Sequence, residues 1–261
     1  MKIGMRYIAL SIIILYLIFI YTPILVSILG SFSSKRFSID LSNPTLEWYM
    51  RALSNRDVIS AAENSIRLAL SAAVISTMTG MIVGYAYIHR RPRSFIETSI
   101  YIPIVIPEVI EAFTLALLYI RLGVEMGFIT VLAGHLTFNI AYAFMVIRSR
   151  IEMIPREIID SARILGAGDR MILLKIILPL TYPALLSAML LTFALSFDDL
   201  IKTLFTSGPG FKTLPVLIWS MVGRGGVSPE INAVNSIILS ISLVISGFIS
   251  YIIRRDLQKI L

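Results

Sequence analysis

Four carboxylates, Glu108, Glu111, Asp198 and Asp199, stand inside long apolar stretches of this 261-residue chain. A carboxylate in an apolar medium is expensive unless it faces a cavity, water or a partner group, so all four are functional candidates. Several acids spaced along a path attract a polyvalent cation and repel an anion. Glu108 follows Pro103 and Pro107, whose missing amides and ring clashes break or kink the helix that carries them. A broken helix beside an acid is a recurrent way to build a binding site at membrane depth. Asp198 and Asp199 are adjacent, so on a single helix their side chains diverge by about 100°, and at most one faces the middle of a pathway. The other then makes a structural or helix-end contact, with Lys202 at i+3 or i+4 as the candidate partner.

Other chemistries find little support. The chain has no cysteine, which removes thiolate metal sites, disulfides and cysteine nucleophiles, and only His89 and His135 for a histidine centre. Adjacent aspartates do not share a proton as a protease dyad does, and no zinc motif or nucleophile elbow accompanies them. An intramembrane enzyme is therefore disfavoured. His135 reads as an interhelical hydrogen bonder rather than a proton relay. Arg67, near the outer end of an apolar stretch, reads as a snorkelling side chain. The run from His89 to Arg93 is a topology determinant that also meets lipid headgroups. Trp48 is either a stacking surface for a cation or an interfacial anchor.

The elements that position these residues follow from composition. Hydrophobic residues make up 57% of the chain and charged ones 15%, against about 25% charge in an ordinary globular protein, so the chain is a polytopic membrane protein. The net charge of +7 then reports basic loops on one membrane face rather than nucleic acid binding. A spanning helix needs about 20 apolar residues, and six segments qualify: 7–29, 65–88, 99–120, 128–147, 182–201 and 232–253. The first apolar run is too long for a signal peptide and lacks a cleavage site, so it is expected to stay as a span. Loops at 1–6, 89–98, 148–181 and 254–261 hold 14 Lys and Arg in 58 positions, whereas 31–63, 121–127 and 202–231 hold 8 in 70. That bias places both termini in the cytoplasm. Residues 31–63, with Trp48 and Tyr49, form an interfacial external segment, and 214–222 a short helix capping or entering the external mouth.

The loop at 148–181 has its own organisation. Pro155 opens a helix with Glu157 in its first turn, at the positive end of the helix dipole. Ile158, Ile159, Ala162 and Leu165 share one face, and Gly166 ends the helix. Gly168-Asp169 caps a second helix, apolar over 171–178, that Pro179 and Pro183 break before the fifth span. The apolar stripe either lies on the bilayer or enters a groove on a soluble partner.

At this loop the chain resembles the inner-membrane permeases of binding-protein-dependent ABC importers, whose "EAA" loop reads E-A-A-x3-G-x9-I-x-L-P. Here stand Asp160-Ser161-Ala162, three residues, Gly166, nine residues, then Ile176-Ile177-Leu178-Pro179. The departures, Asp for Glu and Ser for Ala, preserve shape. Phe197-Asp198-Asp199, Gly208-Pro209, Leu214-Pro215, Ser220-Met221-Val222, Gly226-Val227-Ser228-Pro229-Glu230 and Asn232-Ala233 are similar to the second permease subunit of spermidine/putrescine importers.

The resemblance implies an all-α fold of the type I importer permeases, one transmembrane domain over 1–261, with the coupling helix between the fourth and fifth spans. It implies a non-catalytic subunit that binds no metal or cofactor. ATP and magnesium belong to two separate ATP-binding subunits, consistent with the absence of G-x-x-x-x-G-K from this chain. The further partners implied are a second permease subunit in a heterodimer, an extracytoplasmic solute-binding protein and membrane lipid. Coupling falls to Glu157, Ile158, Ile159, Asp160, Ser161, Ala162, Leu165 and Gly166; the substrate pathway to Glu108, Glu111, Ser196, Asp198, Asp199 and Trp48. A polyamine is the expected solute. Related permeases move ferric iron, thiosulfate, phosphonates or sugars, and these stay open as alternatives. A self-sufficient secondary transporter is the remaining reading, opposed by the docking loop and the lack of an inverted repeat.

Overall fold

Apolar stretches interrupted by proline and glycine become helices interrupted at those residues. A computed structural model describes residues 2–36, 39–90 and 94–258, and every regular element among them is helical. In chain order these are α1 (Lys2–Gly30), α2 (Glu47–Ser54), α3 (Arg56–Arg90), α4 (Ser94–Val105), α5 (Glu108–Arg121), α6 (Phe128–Ile151) and α7 (Arg156–Ile164). Then follow α8 (Asp169–Ile172), a π-helical stretch Leu173–Ile177, α9 (Leu178–Phe197), α10 (Ile201–Thr206), α11 (Leu214–Gly225) and α12 (Pro229–Gln258). The basic run at 89–93 and the basic residues at 254–261 lie outside the residues whose side chains are described.

Among the described residues, four stretches are long and apolar enough to cross a membrane: Ala9–Gly30, Arg56–Ala86, Phe128–Ile151 and Asp169–Phe197. A fifth is the pair Thr98–Val105 and Glu108–Arg121, bent by 103°. That bend is the expected consequence of Pro103 and Pro107. Pro107 cannot donate to α4, and it pushes Ile106 out of the helical region.

The second expected proline break did not form. Asp169–Phe197 runs on through Pro179 and Pro183, absorbing the second short helix expected over 171–178. Leu173–Ile177 widens into π-helix just before Pro179, which sits in the first turn of α9. A π turn shifts the hydrogen-bond register and leaves room for a ring that lacks an amide hydrogen. The expected fifth span also ends early, at Phe197. Asp198 and Asp199 are therefore in a break between α9 and α10, not on one helix.

Two compact units divide the chain. In the first, Met1–Ile59 with Ile218–Leu261, α12 packs against α1 and α2. Ser27 donates to Asn232 at 3.1 Å and Asn55 to Glu230 at 3.0 Å. The most apolar part of the span in α1 is not buried within the chain, as suits a helix surrounded by lipid or by another subunit. The second unit, Ser60–Leu217, carries a hydrophobic core. There Met81 of α3, Ala143, Ile147 and Ile151 of α6, Ile172 of α8, Ile177 of the π-helical stretch and Ala188 of α9 form one cluster with Ile159 of α7. Gly80 lets α3 approach α6, since a β-carbon at Gly80 would lie 2.9 Å from the Phe144 amide nitrogen.

Candidate functional site

Within the second unit the break between α4 and α5 faces the break between α9 and α10 across a cavity of about 750 Å3. Helix breaks free backbone and bring charged side chains to membrane depth only where they line such a space. All four acids singled out from the sequence line this cavity, together with Lys202, Phe138 and Tyr142.

The acids divide by their partners. Glu108, at the start of α5, and Asp198, at the end of α9, are exposed to the cavity. Glu111, one turn into α5, meets Lys202 of α10: Nζ lies 2.7 Å from Oε2, with the two side chains 2% and 12% exposed. The same ammonium donates to the Thr137 hydroxyl at 3.2 Å and sits 4.0 Å from the centre of the Phe138 ring. Lys202 thus pairs across helices with Glu111, not with either aspartate along its own chain segment.

Asp199 turns the other way. Its Oδ1 accepts the Thr203 amide at 2.9 Å and the Thr203 hydroxyl at 3.0 Å, which caps the first turn of α10. His135 Nε2 is 3.2 Å from the same oxygen. Because a carboxylate only accepts, Nε2 donates to it, and Nδ1 lies within hydrogen-bond distance of the Ser196 hydroxyl, 2.7 Å away. His135, fully buried on α6, therefore binds α9 to α10, the interhelical role expected for it. Ser196 belongs to this hub and does not line the cavity.

Trp48 departs from its expectation as a pathway residue. On α2 of the first unit it is 8% exposed, and its Nε1 donates to the Ser33 carbonyl at 2.7 Å. The Arg51 guanidinium lies 4.9 Å from its ring centre. Its face and donor are both used inside the chain. Arg67 is exposed on α3, with its guanidinium 5.9 Å from the Phe128 ring.

The loop at 148–181 holds the second candidate site. α7 starts after Pro155 and carries Glu157 in its first turn, as expected. Gly166, at φ +83°, closes it: its amide donates to the Arg163 carbonyl and that of Ala167 to the Ala162 carbonyl, both at 2.9 Å. This paired closure needs a left-handed residue, which glycine supplies without strain. The expected apolar face is split, however. Ile159 is 4% exposed and Ala162 packs beside it, whereas Ile158 is 42% and Leu165 86% exposed. Leu165 falls at the helix end, where the chain turns and carries it away from the core with Ile164. Glu157, Asp160 and Ser161 are exposed as well.

Sequence reasoning missed the Lys202 box, namely Thr137, Phe138 and Lys202 around Glu111. The available signal was a lysine flanked by Leu200-Ile201 and Leu204-Phe205, a cation in an apolar run with no acid at helical spacing that it uses.

The fold and the acidic cavity define a membrane transport subunit, and the chain belongs to the family described as "Binding-protein-dependent transport system inner membrane component", which matches residues 76–259. It is a permease subunit of an ABC importer and a multi-pass protein of the inner membrane. The spermidine/putrescine transport system permease protein PotC of Escherichia coli strain K12 is 35% identical over 243 residues, covering 92% of this chain and 91% of PotC. The putrescine transport system permease protein PotI of the same strain is 34% identical over 250 residues, covering 92% and 88%. A crystal structure of a bacterial ABC transporter that imports the acidic polysaccharide alginate contains a chain of the same fold. It matches with a TM-score of 0.75 at 16% identity, over 96% of this chain and 95% of that one.

Proposed function

We propose that this permease conducts polyamines, and that the cavity between the α4–α5 and α9–α10 breaks is where their ammonium groups pass. The observation that carries this reading is the concentration of Glu108, Glu111, Asp198 and Asp199 on one cavity of about 750 Å3, with Glu111 already bound to a primary ammonium. A linear polycation gains from each carboxylate it passes, and an anion gains from none. The printed names of PotC and PotI, which concern spermidine and putrescine, support the same solute class.

In this reading 1–261 acts as one transmembrane permease domain of six spans, the sixth being α12, with both termini cytoplasmic. α7 is the coupling helix: Ile159 and Ala162 seat it on the core, and Ile158, Leu165 and Gly166, with Glu157, Asp160 and Ser161, face an ATP-binding subunit. Two such subunits carry ATP and magnesium, a second permease subunit completes the pathway, and an extracytoplasmic binding protein delivers the solute. Closure of the ATPase pair moves α7 and, with it, the core on which Ile159 sits.

The test is ATP-dependent uptake by the reconstituted complex, with putrescine and spermidine competed against anions and sugars. Polyamine uptake should fall in Glu108→Gln and Asp198→Asn. Transport of an anion alone, or undiminished polyamine uptake in both variants, overturns the proposal. Uptake by this chain alone on an ion gradient would instead support a secondary transporter.

A further inference from the structure

Lys202 is a charged residue 1% exposed that nonetheless belongs to the lining of the transport cavity. Its surroundings are a carboxylate oxygen at 2.7 Å, a hydroxyl at 3.2 Å and an aromatic face at 4.0 Å. Each of these recognises an ammonium group and none recognises the lysine stem in particular. A buried ion pair is also a poor way to stabilise a fold, because apolar side chains of the same volume do as well or better. The pair therefore invites a functional explanation.

We propose that Lys202 is a tethered stand-in for a solute ammonium: it occupies the Glu111 subsite of the pathway, and a solute ammonium takes its place during transport. This rests on the cation-pathway reading above and goes further, because it assigns one subsite and the group that guards it. With Lys202 seated, Glu111 is neutralised and Asp199 is engaged by Thr203, His135 and Glu108, which leaves Asp198 open to the cavity and Glu108 facing it from its contact with Asp199. The two cavity-facing acids match a diamine. A triamine finds its third partner only when Lys202 has withdrawn. Lys202 lies on α10, a helix of six residues that starts just after the break at 198–200, so its ammonium can leave the box without disrupting a long helix. The consequence is a filter on the number of ammonium groups as well as a plug.

The test uses the full complex with its own binding protein, in detergent and in proteoliposomes. Lys202→Ala empties the box, so millimolar ethylammonium should raise the thermal midpoint of that complex and leave the wild type unmoved. Tetramethylammonium, which has no N–H, should move neither. Lys202→Met fills the space without charge and leaves Glu111 unpaired, so the ratio of spermidine to putrescine uptake should rise about tenfold over the wild type, the effect of one added charge at partly screened range. If Lys202→Ala assembles only when ethylammonium is present, that rescue is the same positive result. An ethylammonium response that does not distinguish Lys202→Ala from the wild type, or a Lys202→Met uptake ratio equal to the wild type's, overturns the proposal. Failure of the polyamine reading looks different, because the wild type would then transport neither amine while the ethylammonium measurement in detergent still reports on the box.

Discussion

Ile159 and Leu165 sit on one short helix and should fail in opposite ways. Ile159 is 4% exposed among Met81, Ile147, Ile151, Ile172 and Ile177. Truncation to alanine removes three carbons from a packed site that long helices prevent from collapsing, at a cost of about 2–5 kcal/mol. Leu165 is 86% exposed, so Leu165→Ala should change the stability of the isolated permease by no more than about 0.5 kcal/mol. If Leu165 enters a groove on an ATP-binding subunit, its loss there forfeits about 1.5–3 kcal/mol of burial, or roughly 10- to 100-fold in subunit affinity. Two measurements separate the faces: unfolding of the permease in detergent, and ATPase stimulation by solute-loaded binding protein in the reconstituted complex. Ile159→Ala should lower the first midpoint, whereas Leu165→Ala should leave it unchanged and reduce assembly and stimulation. Wild-type assembly and stimulated ATPase in Leu165→Ala, alone and combined with Ile164→Ala, would contradict a docking role for this face. Unfolding of Ile159→Ala at the wild-type midpoint would contradict the seating of Ile159 in the core.

Three further outcomes follow from the geometry. A β-carbon at Gly208 would overlap the carbonyl oxygen of Met126, a backbone atom that cannot swing aside, so Gly208→Ala should destabilise by about 1–3 kcal/mol in detergent unfolding. Asp199→Ala strands the Thr203 amide in a buried site, which should cost about 1–3 kcal/mol and speed hydrogen exchange at Thr203; exchange at the wild-type rate would contradict the hub. In the external segment, the Lys35 ammonium holds the Asp40 carboxyl well below its ordinary range, with the Ser42 amide assisting. A depressed carboxylate contributes order that is present above its ordinary range and is lost only as pH falls through the depressed value. Protection of the Ser34 amide, which donates to Asp40, should therefore hold from about pH 8 to pH 5. It should drop at every pH in Asp40→Asn.

What the sequence disclosed and what it withheld have physical causes. Pro103 and Pro107 announce the α4–α5 break because the loss of an amide hydrogen is a local property. Gly166 announces the end of α7 for a similar reason, since its left-handed backbone belongs to the residue itself. Pro179 and Pro183 mislead, because the outcome depends on the π turn beside them and on tertiary packing. The break after Phe197 was hidden because Asp199 competes with the helix for the Thr203 amide, and only the folded neighbourhood decides that contest. The Lys202–Glu111 pair joins helices far apart in sequence, so no spacing rule reaches it. The direction of Leu165 depends on where the last turn of α7 ends, and element boundaries are where sequence patterns are weakest.

Two helices connect the acidic cavity to α7, which bears on how the two candidate sites communicate. α6 carries Phe138 on the cavity wall, His135 and Thr137 bonded to residues of α9 and α10 beside it, and Ile147 and Ile151 in the core with Ile159. With 24 residues it is about 36 Å long and is uninterrupted by proline. α9 repeats the arrangement, with Ser196 bonded to His135 near one end, Ala188 in the core at its middle, and the core residue Ile177 just before its other end. A displacement of α7 that keeps Ile159 seated must move α6 or α9, because close-packed side chains transmit strain rather than absorb it. The cavity ends of both helices meet at His135, which also reaches Thr203 of α10 at 3.0 Å. Movement there reaches α10, and the residue before Thr203 is Lys202. The route from the exposed face of α7 to the Glu111 box therefore consists of packed helices and three buried hydrogen-bonding side chains. Its most breakable link is His135, where a change to an apolar residue of similar size should leave both sites folded and separate their behaviour.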